Sequence, residues 1–351
     1  MRKIITDLIS DAPDLEVVGT AKNGLEAVEQ VKLLRPQAVT MDIEMPEMNG
    51  LGALQRIMRE TPTPVIMLSS LTAEGAAETI RALELGAVDF IRKPSGSISL
   101  DLYKVKQLLH EKLRIAVKLN VKQTTLAPSP PIVTNSAAAN AVPAVIKAPA
   151  AKRPGASRFD HIVAIGTSTG GPRALHQVFS QLPGELPAPV LIVQHMPPNF
   201  TRSLAERLND VSRLKVVEAE DGVQLETGTA YVAPGGWHMA AVRAGSGTFR
   251  IRLTKDDPRS GHRPSVDVLF ESLVPLTELK RHAVVMTGMG SDGAKGMLAL
   301  KRSGAVTTIA EAEETCVVYG MPRAAAELGG ASEVIPQPLI ARKIVQAVMG
   351  A

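Results

Sequence analysis

Short apolar runs separated by stretches of helical period recur along most of this chain, and that recurrence is the first constraint on its fold. Near the start, residues 2–10 (RKIITDLIS) have helical spacing, residues 15–19 (LEVVG) read as a strand, and residues 24–34 as an amphipathic helix. An apolar run at 38–41 ends at Asp42; 51–59 is helical; 64–68 (PVIML) reads as a strand, 73–85 as a helix, 87–92 (AVDFIR) as a strand and 102–117 as a closing helix. Strands alternating with helices imply a parallel sheet covered on both faces.

The pattern lapses from Thr124 to Ser157 (TTLAPSPPIVTNSAAANAVPAVIKAPAAKRPGAS), where six prolines and many alanines sustain no hydrophobic period. Proline removes N–H donors and favours extended backbone, so a semi-rigid spacer is expected. The alternation then returns. Residues 161–165 (HIVAI) lead into a Gly-rich turn and a helix through 174–182; 189–193 (PVLIV) is followed by a helix near 202–208. Later strands fall at 230–232, 281–286 and 305–309, and 239–253, with Gly245-Ser246-Gly247 at its middle, reads as a hairpin. The expected organisation is an α/β chain in three parts: 1–119, a linker at 120–157, and a second, doubly wound α/β domain at 158–351.

Composition narrows the function classes. Hydrophobic residues make up 45% and charged residues 21%, a globular balance. Aromatics are only 3%, which argues against stacking platforms for single-stranded nucleic acid. The net charge of +4 is concentrated in 120–157, which holds four basic side chains and no acid, so no nucleic-acid partner is expected. The single cysteine, Cys316, excludes an intramolecular disulfide framework, and we expect it to be a small buried hydrophobe. No apolar run is long enough to span a bilayer, and the first residues meet an acid too early for a secretory signal. A cytoplasmic protein without membrane insertion is the expectation.

In a doubly wound sheet, chemistry collects at the carboxyl ends of the strands. In the first part those ends carry Asp42, Ser69 and Lys93: a carboxylate, a hydroxyl and an ammonium able to accept, contact and neutralise a phosphoryl group. Taken singly, a strand-terminal carboxylate such as Asp42 is more often a helix cap or turn residue. Together, TMDIEMPEMNG, VIMLSSLT and GAVDFIRKP resemble the receiver domain of bacterial response regulators, over about residues 1–118. The resemblance implies a flavodoxin-like fold, Asp42 as phosphoacceptor, Ser69 as switch hydroxyl, Lys93 as phosphate-binding lysine, and Mg²⁺ as cofactor, held through Asp42 and the backbone carbonyl of Glu44. Such receivers begin with a strand ending in adjacent acids, whereas this chain begins at the first helix. In the strand order 2-1-3-4-5 that strand is interior. The expectations are a start downstream of the natural one, a poorly packed receiver and weak Mg²⁺ binding.

In the second domain, Gly166-Thr167-Ser168-Thr169-Gly170-Gly171-Pro172 places G-x-S-x-G between a strand and a helix, the setting of a nucleophile elbow. A phosphate cradle at a helix N-terminus and an ordinary N-cap remain alternatives; the dinucleotide pattern G-x-G-x-x-G is absent. Of seven histidines, His195 ends PVLIVQH on the same sheet edge as Ser168. His161 and His282 belong to the opposite edge, His110 and His176 to helices, and His238 and His262 remain candidates for substrate contacts. Asp292 follows a third strand in TGMGSDG, either as the orienting carboxylate of a Ser-His-Asp triad or as an N-cap for the helix starting at Ala294.

The segments IGTSTGGP, LIVQHMPPNF, AYVAPGGWHM, RPSVDVLFESL, VVMTGMGSDGAKGM and TCVVYGMPRAA, downstream of a receiver, resemble the chemotaxis protein-glutamate methylesterase (CheB) family. The resemblance implies Ser168, His195 and Asp292 as triad and backbone donors at Thr169 and Met289 as candidates for an oxyanion hole. It also implies hydrolysis of glutamate methyl esters on cytoplasmic helices of chemoreceptors, with glutamine deamidation, no cofactor for the esterase reaction, and a chemotaxis histidine kinase as phosphodonor.

Overall fold

The computed structural model describes residues 1–70, 72–93, 100–119, 158–245 and 247–350; the expected linker, Pro94 and Ser246 lie outside them. In the receiver region the order is α1 (Arg2–Ser10), α2 (Gly24–Leu34), β1 (Val39–Asp42), α3 (Gly50–Glu60), β2 (Val65–Ser69), α4 (Ala73–Glu84), β3 (Asp89–Arg92) and α5 (Leu100–Ala116). The three strands form a parallel sheet in the order β1-β2-β3.

Short polar side chains mark the helix starts. Asn23, Asn49 and Thr72 accept the N–H of Glu26, Gly52 and Gly75 at 2.8, 2.9 and 3.0 Å, each satisfying a donor that the first turn leaves free. Glu26 Oε2 also accepts the N–H of Lys22, the residue before the cap, at 2.7 Å. Helix α1 buries Ile5 and Leu8 in a cluster with Leu109, Leu113 and Ala116 of α5.

Residues 15–19, expected as a strand, are irregular. A strand needs a neighbour for its backbone groups. Among the described residues β1 pairs with β2 alone, and a cavity of about 790 Å³, lined by residues 14–21, α1, β1 and the end of α5, lies between that segment and the sheet.

The second region is α/β as expected, and larger. It comprises β4 (His161–Thr167), α6 (Gly171–Phe179), β5 (Val190–Gln194), α7 (Phe200–Val211), β6 (Lys215–Glu218), β7 (Thr229–Val232), β8 (His238–Gly245), β9 (Thr248–Thr254), α8 (Val266–Leu273), β10 (Lys280–Val285), α9 (Ala294–Arg302), β11 (Thr307–Glu311), α10 (Met321–Glu327), β12 (Glu333–Ile335) and α11 (Gln337–Met349). Seven parallel strands run in the order β12-β11-β10-β4-β5-β7-β6, and β8 and β9 form the hairpin read around Gly245. The central strands are buried apart from the first residues of β4 and β10, His161 and Lys280, as befits a sheet covered on both faces. Phe179, Phe200 and Phe270 are fully buried, each contributing about 1.5–3 kcal/mol of transfer free energy.

Helix α6 begins and ends three residues earlier than the 174–182 expected, because Gly170 turns the chain at φ 80° and Pro172 fits the first helical turn. Cys316 is half-buried rather than buried. One apolar cluster runs from Val28, Leu54 and Ile80 to Leu175, Phe179 and Leu204, joining the two regions.

Candidate functional site

Strand register brings the candidate residues together. Thr167 lies opposite Gln194 in the β4–β5 pairing, so Ser168 and His195, the next residues along, leave adjacent strands side by side. The His195 N–H donates to Thr167 O at 3.1 Å. On the other flank Gly166 pairs with Val285 of β10, and Ser168 N–H donates to Thr287 O at 3.0 Å. Gly288 is required here: a Cβ on it would sit 2.8 Å from Ser168 Cβ.

Ser168 is not the helix cap, since Gly170 occupies that position. The turn is held by its own carbonyl: Ser168 O accepts Gly171 N–H at 2.8 Å and Gln194 Nε2 at 2.9 Å.

His195 Nε2 is 2.8 Å from Asp292 Oδ2. An ionised carboxylate only accepts, so Nε2 carries the proton and Nδ1 presents its lone pair; Nδ1 is buried with no hydrogen-bond partner. Asp292 does not cap the helix at Ala294, whose cap is Gly293. It sits instead at the N-terminus of α8, accepting Ser265 Oγ at 2.8 Å and the Val266 and Asp267 N–H groups at 2.7 and 3.0 Å. Burial pushes the Asp292 carboxyl up, but the His195 hydrogen bond and charge and these amides outweigh it and hold its pKa at about 2.

His262 stacks on His195, with ring centroids 3.7 Å apart and planes 7° apart. Burial first, then the neighbouring His195, lowers its pKa to about 4. His238 turns to Asp257 O at 3.1 Å. His161 and His282 lie at the opposite rim, 3.0 Å apart between ring nitrogens. Among the described residues, neither the Thr169 nor the Met289 backbone N–H donates a hydrogen bond.

In the receiver, Lys93 Nζ lies 2.7 Å from Asp42 Oδ1 and 3.1 Å from Glu44 Oε2. Burial opposes the ammonium, yet these partners carry its pKa above the ordinary lysine value. Ser69 is not joined to them: its buried hydroxyl accepts Thr79 Oγ1 at 2.6 Å and donates toward Gly75 O at 3.2 Å, inside α4. Receiver phosphorylation is typically Mg²⁺-dependent. Here Asp42 Oδ1 already accepts Glu44 N–H at 3.1 Å and the lysine, and among the described residues no group of three His, Cys, Asp or Glu could hold a metal. The residues present do not complete a divalent-ion site.

The two regions meet beside Ser168. Thr169 Oγ1 donates to Asp89 Oδ2 at 2.5 Å, and Lys112 pairs with the same oxygen. Phe90 stacks on Phe200 at 4.6 Å, and Arg207 Nε donates to Glu84 at 2.8 Å. Sequence reasoning missed Asp89, Thr287 and the α8 amides. Only the last had a signal: Ser265 before an apolar run marks a helix start.

A profile described as CheB methylesterase matches residues 163–344, and one described as response regulator receiver domain matches 1–102. A protein-glutamate methylesterase/protein-glutamine glutaminase from Geobacillus kaustophilus is 53% identical over 99% of this chain and 95% of its own length. Relatives of the same name from Thermotoga maritima and Bacillus subtilis are 47% and 46% identical, each over 99% of this chain and 95% of their own. The crystal structure of the Thermotoga maritima CheB methylesterase catalytic domain matches with a TM-score of 0.52 at 45% identity, covering 54% of this chain and 98% of that one.

Proposed function

The chain belongs to the CheB methylesterase family and is a protein-glutamate methylesterase/protein-glutamine glutaminase carrying a response-regulator receiver; on that premise we propose that Ser168, His195 and Asp292 hydrolyse glutamate methyl esters on chemoreceptor cytoplasmic helices, under the control of phosphorylation at Asp42. The observation that carries the reading is the Asp292–His195 hydrogen bond at the strand end adjacent to Ser168.

Ser168 Oγ attacks the ester carbonyl carbon while His195 Nδ1 takes its proton. The carbonyl oxygen becomes an oxyanion, met by the backbone amides of Thr169 and Met289. Collapse expels methoxide, which takes the proton from His195 and leaves as methanol. Water then attacks the acyl-enzyme, giving one proton to His195; the second collapse returns that proton to Ser168 and frees the glutamic acid side chain, which loses the water's other proton to solvent and becomes a carboxylate. Asp292 stays ionised throughout and fixes the imidazole tautomer. A glutamine follows the same course with ammonia leaving. Each turnover adds a negative charge to a receptor helix, biasing the equilibrium between its signalling states.

Control follows from β3. Its first residue, Asp89, holds Thr169, and Lys93, just beyond its last, holds Asp42. Phosphotransfer to Asp42 from a histidine kinase changes the charge facing Lys93, and that one short strand connects the change to the Asp89 contact.

Ser168→Ala tests the assignment: methanol release from methylated chemoreceptor membranes falls to background with the melting temperature unchanged. Retained release rejects Ser168 as nucleophile.

A further inference from the structure

Glu311 ends β11 on the rim that carries the triad, fully buried, and the chemistry above gives it no role. Its Oε2 accepts the Thr287 N–H at 2.8 Å, while Oε1 has no partner. Burial pushes its pKa up to about 7, only partly offset by the Thr287 N–H and by the Thr315 hydroxyl and Cys316 thiol nearby. An interior position with no task beyond packing is better served by an apolar side chain.

What Glu311 holds is a junction. Thr287 O accepts Ser168 N–H at 3.0 Å and Thr167 Oγ1 at 3.1 Å. Thr287 Oγ1 donates to Thr169 O at 2.9 Å and accepts Val318 N–H at 3.0 Å. One threonine thus ties the nucleophile turn, the loop bearing Met289 and the segment after β11. Its own N–H emerges just past the end of β10, where the pairing with β11 has stopped at Val285 opposite Ala310. The Glu311 side chain supplies the acceptor that the ladder no longer offers.

We propose that Glu311 is a positioning residue for ester hydrolysis, setting the spacing between the nucleophile turn and the Met289 loop by fixing Thr287. The inference rests on Ser168 being the nucleophile. What matters is then the reach of the acceptor, not its charge.

The test pairs Glu311→Gln, which keeps reach and loses charge, with Glu311→Asp, which keeps charge and withdraws the acceptor by one methylene. Initial rates of methanol release by the full chain are measured on methylated chemoreceptor membranes. Glu311→Asp should lose kcat by about 10- to 100-fold, the scale of a small misplacement of reacting groups, with KM within about 2-fold. Glu311→Gln should stay within about 3-fold of the parent on both. If the aspartate variant does not fold, Glu311→Met, similar in length but without an acceptor, carries the same expectation. A parental kcat in the aspartate or methionine variant, or an equal loss in the glutamine variant, overturns the proposal. Ser168→Ala is run alongside: residual activity there removes the nucleophile reading itself, whereas a dead Ser168→Ala beside an unaffected Glu311→Asp removes only the role given to Glu311.

Discussion

In the esterase region, β4 is flanked by β10 on one side and β5 on the other. In the receiver region, β1 is paired on one edge and faces a cavity of about 790 Å³ on the other. Both regions put their candidate functional groups at strand ends, so what differs is how firmly those ends are held. Ser168 and His195 leave interior strands, and Asp292 is fixed by His195, one hydroxyl and two helix amides. Asp42 leaves β1, and its partners are Lys93 and a neighbouring amide. A parallel sheet preorganises chemistry only where it is continuous, because each strand end takes its position from the neighbours on both sides.

The largest effect expected comes from striking the best-held group. Asp292→Asn preserves shape and can still accept from α8, but its amide can donate to His195 and impose the wrong tautomer. We expect kcat to fall about ten-thousand-fold, as when a triad carboxylate becomes an amide, with phosphorylation at Asp42 unchanged. A loss below about tenfold would mean that the continuous sheet does not position this site as argued.

How legible each region was in the sequence follows the same division. The esterase strands that carry chemistry are long apolar runs, and G-x-S-x-G, PVLIVQH and TGMGSDG mark their ends by composition alone. The edge strands β6 and β12, of four and three residues, are too short for their period to stand out. Residues 15–19 have a strand's pattern without a strand's partner, and pattern alone does not report a missing neighbour. Asp89 was invisible because a buried carboxylate in GAVDFIRKP has the same pattern whether it faces solvent, Lys112 or another region's threonine. Thr287 and Glu311 were missed because their side chains bond backbone groups distant in sequence, and residue type does not say which backbone group a hydroxyl or carboxylate will meet.

A smaller effect separates the two rims of the esterase sheet. His282, stacked on His161 at 5.3 Å and 3.2 Å from Thr307 Oγ1, has its pKa lowered to about 4, chiefly by burial. Between about pH 4 and 6.5 the unfolded chain therefore binds more protons at this site than the folded one. Stability from it is complete above about pH 6.5 and is lost as pH falls toward 4, on the order of 3 kcal/mol. His262 adds in the same sense. Glu311, raised to about 7, opposes them, its contribution shrinking as pH rises from about 4.5 to 7. Urea unfolding at pH 7 and pH 5 should show the acid loss, and His282→Gln should flatten it. An unchanged slope in that variant would place the titration elsewhere.

The smallest effect concerns the contact between the regions. Asp89 accepts Thr169 Oγ1 next to Ser168 and is itself paired with Lys112. A hydrogen bond to a charged group is worth about 1.5–3 kcal/mol, a ceiling of roughly 10- to 100-fold on any equilibrium it biases. Phe90 on Phe200 and Arg207 on Glu84 remain in place without it, so Asp89→Ala should raise unphosphorylated methanol release by only about tenfold, at the lower end of that ceiling. Asp89→Asn, which keeps a neutral acceptor for Thr169, should raise it less. On the proposed link through β3, the same substitution should shrink the further gain from a phosphodonor. If basal activity is unchanged in both variants while the phosphodonor response persists in full, β3 is not the link between Asp42 and the esterase site. The comparison between the two sheets would then have to be drawn through α4 and its contacts with α6 and α7 instead.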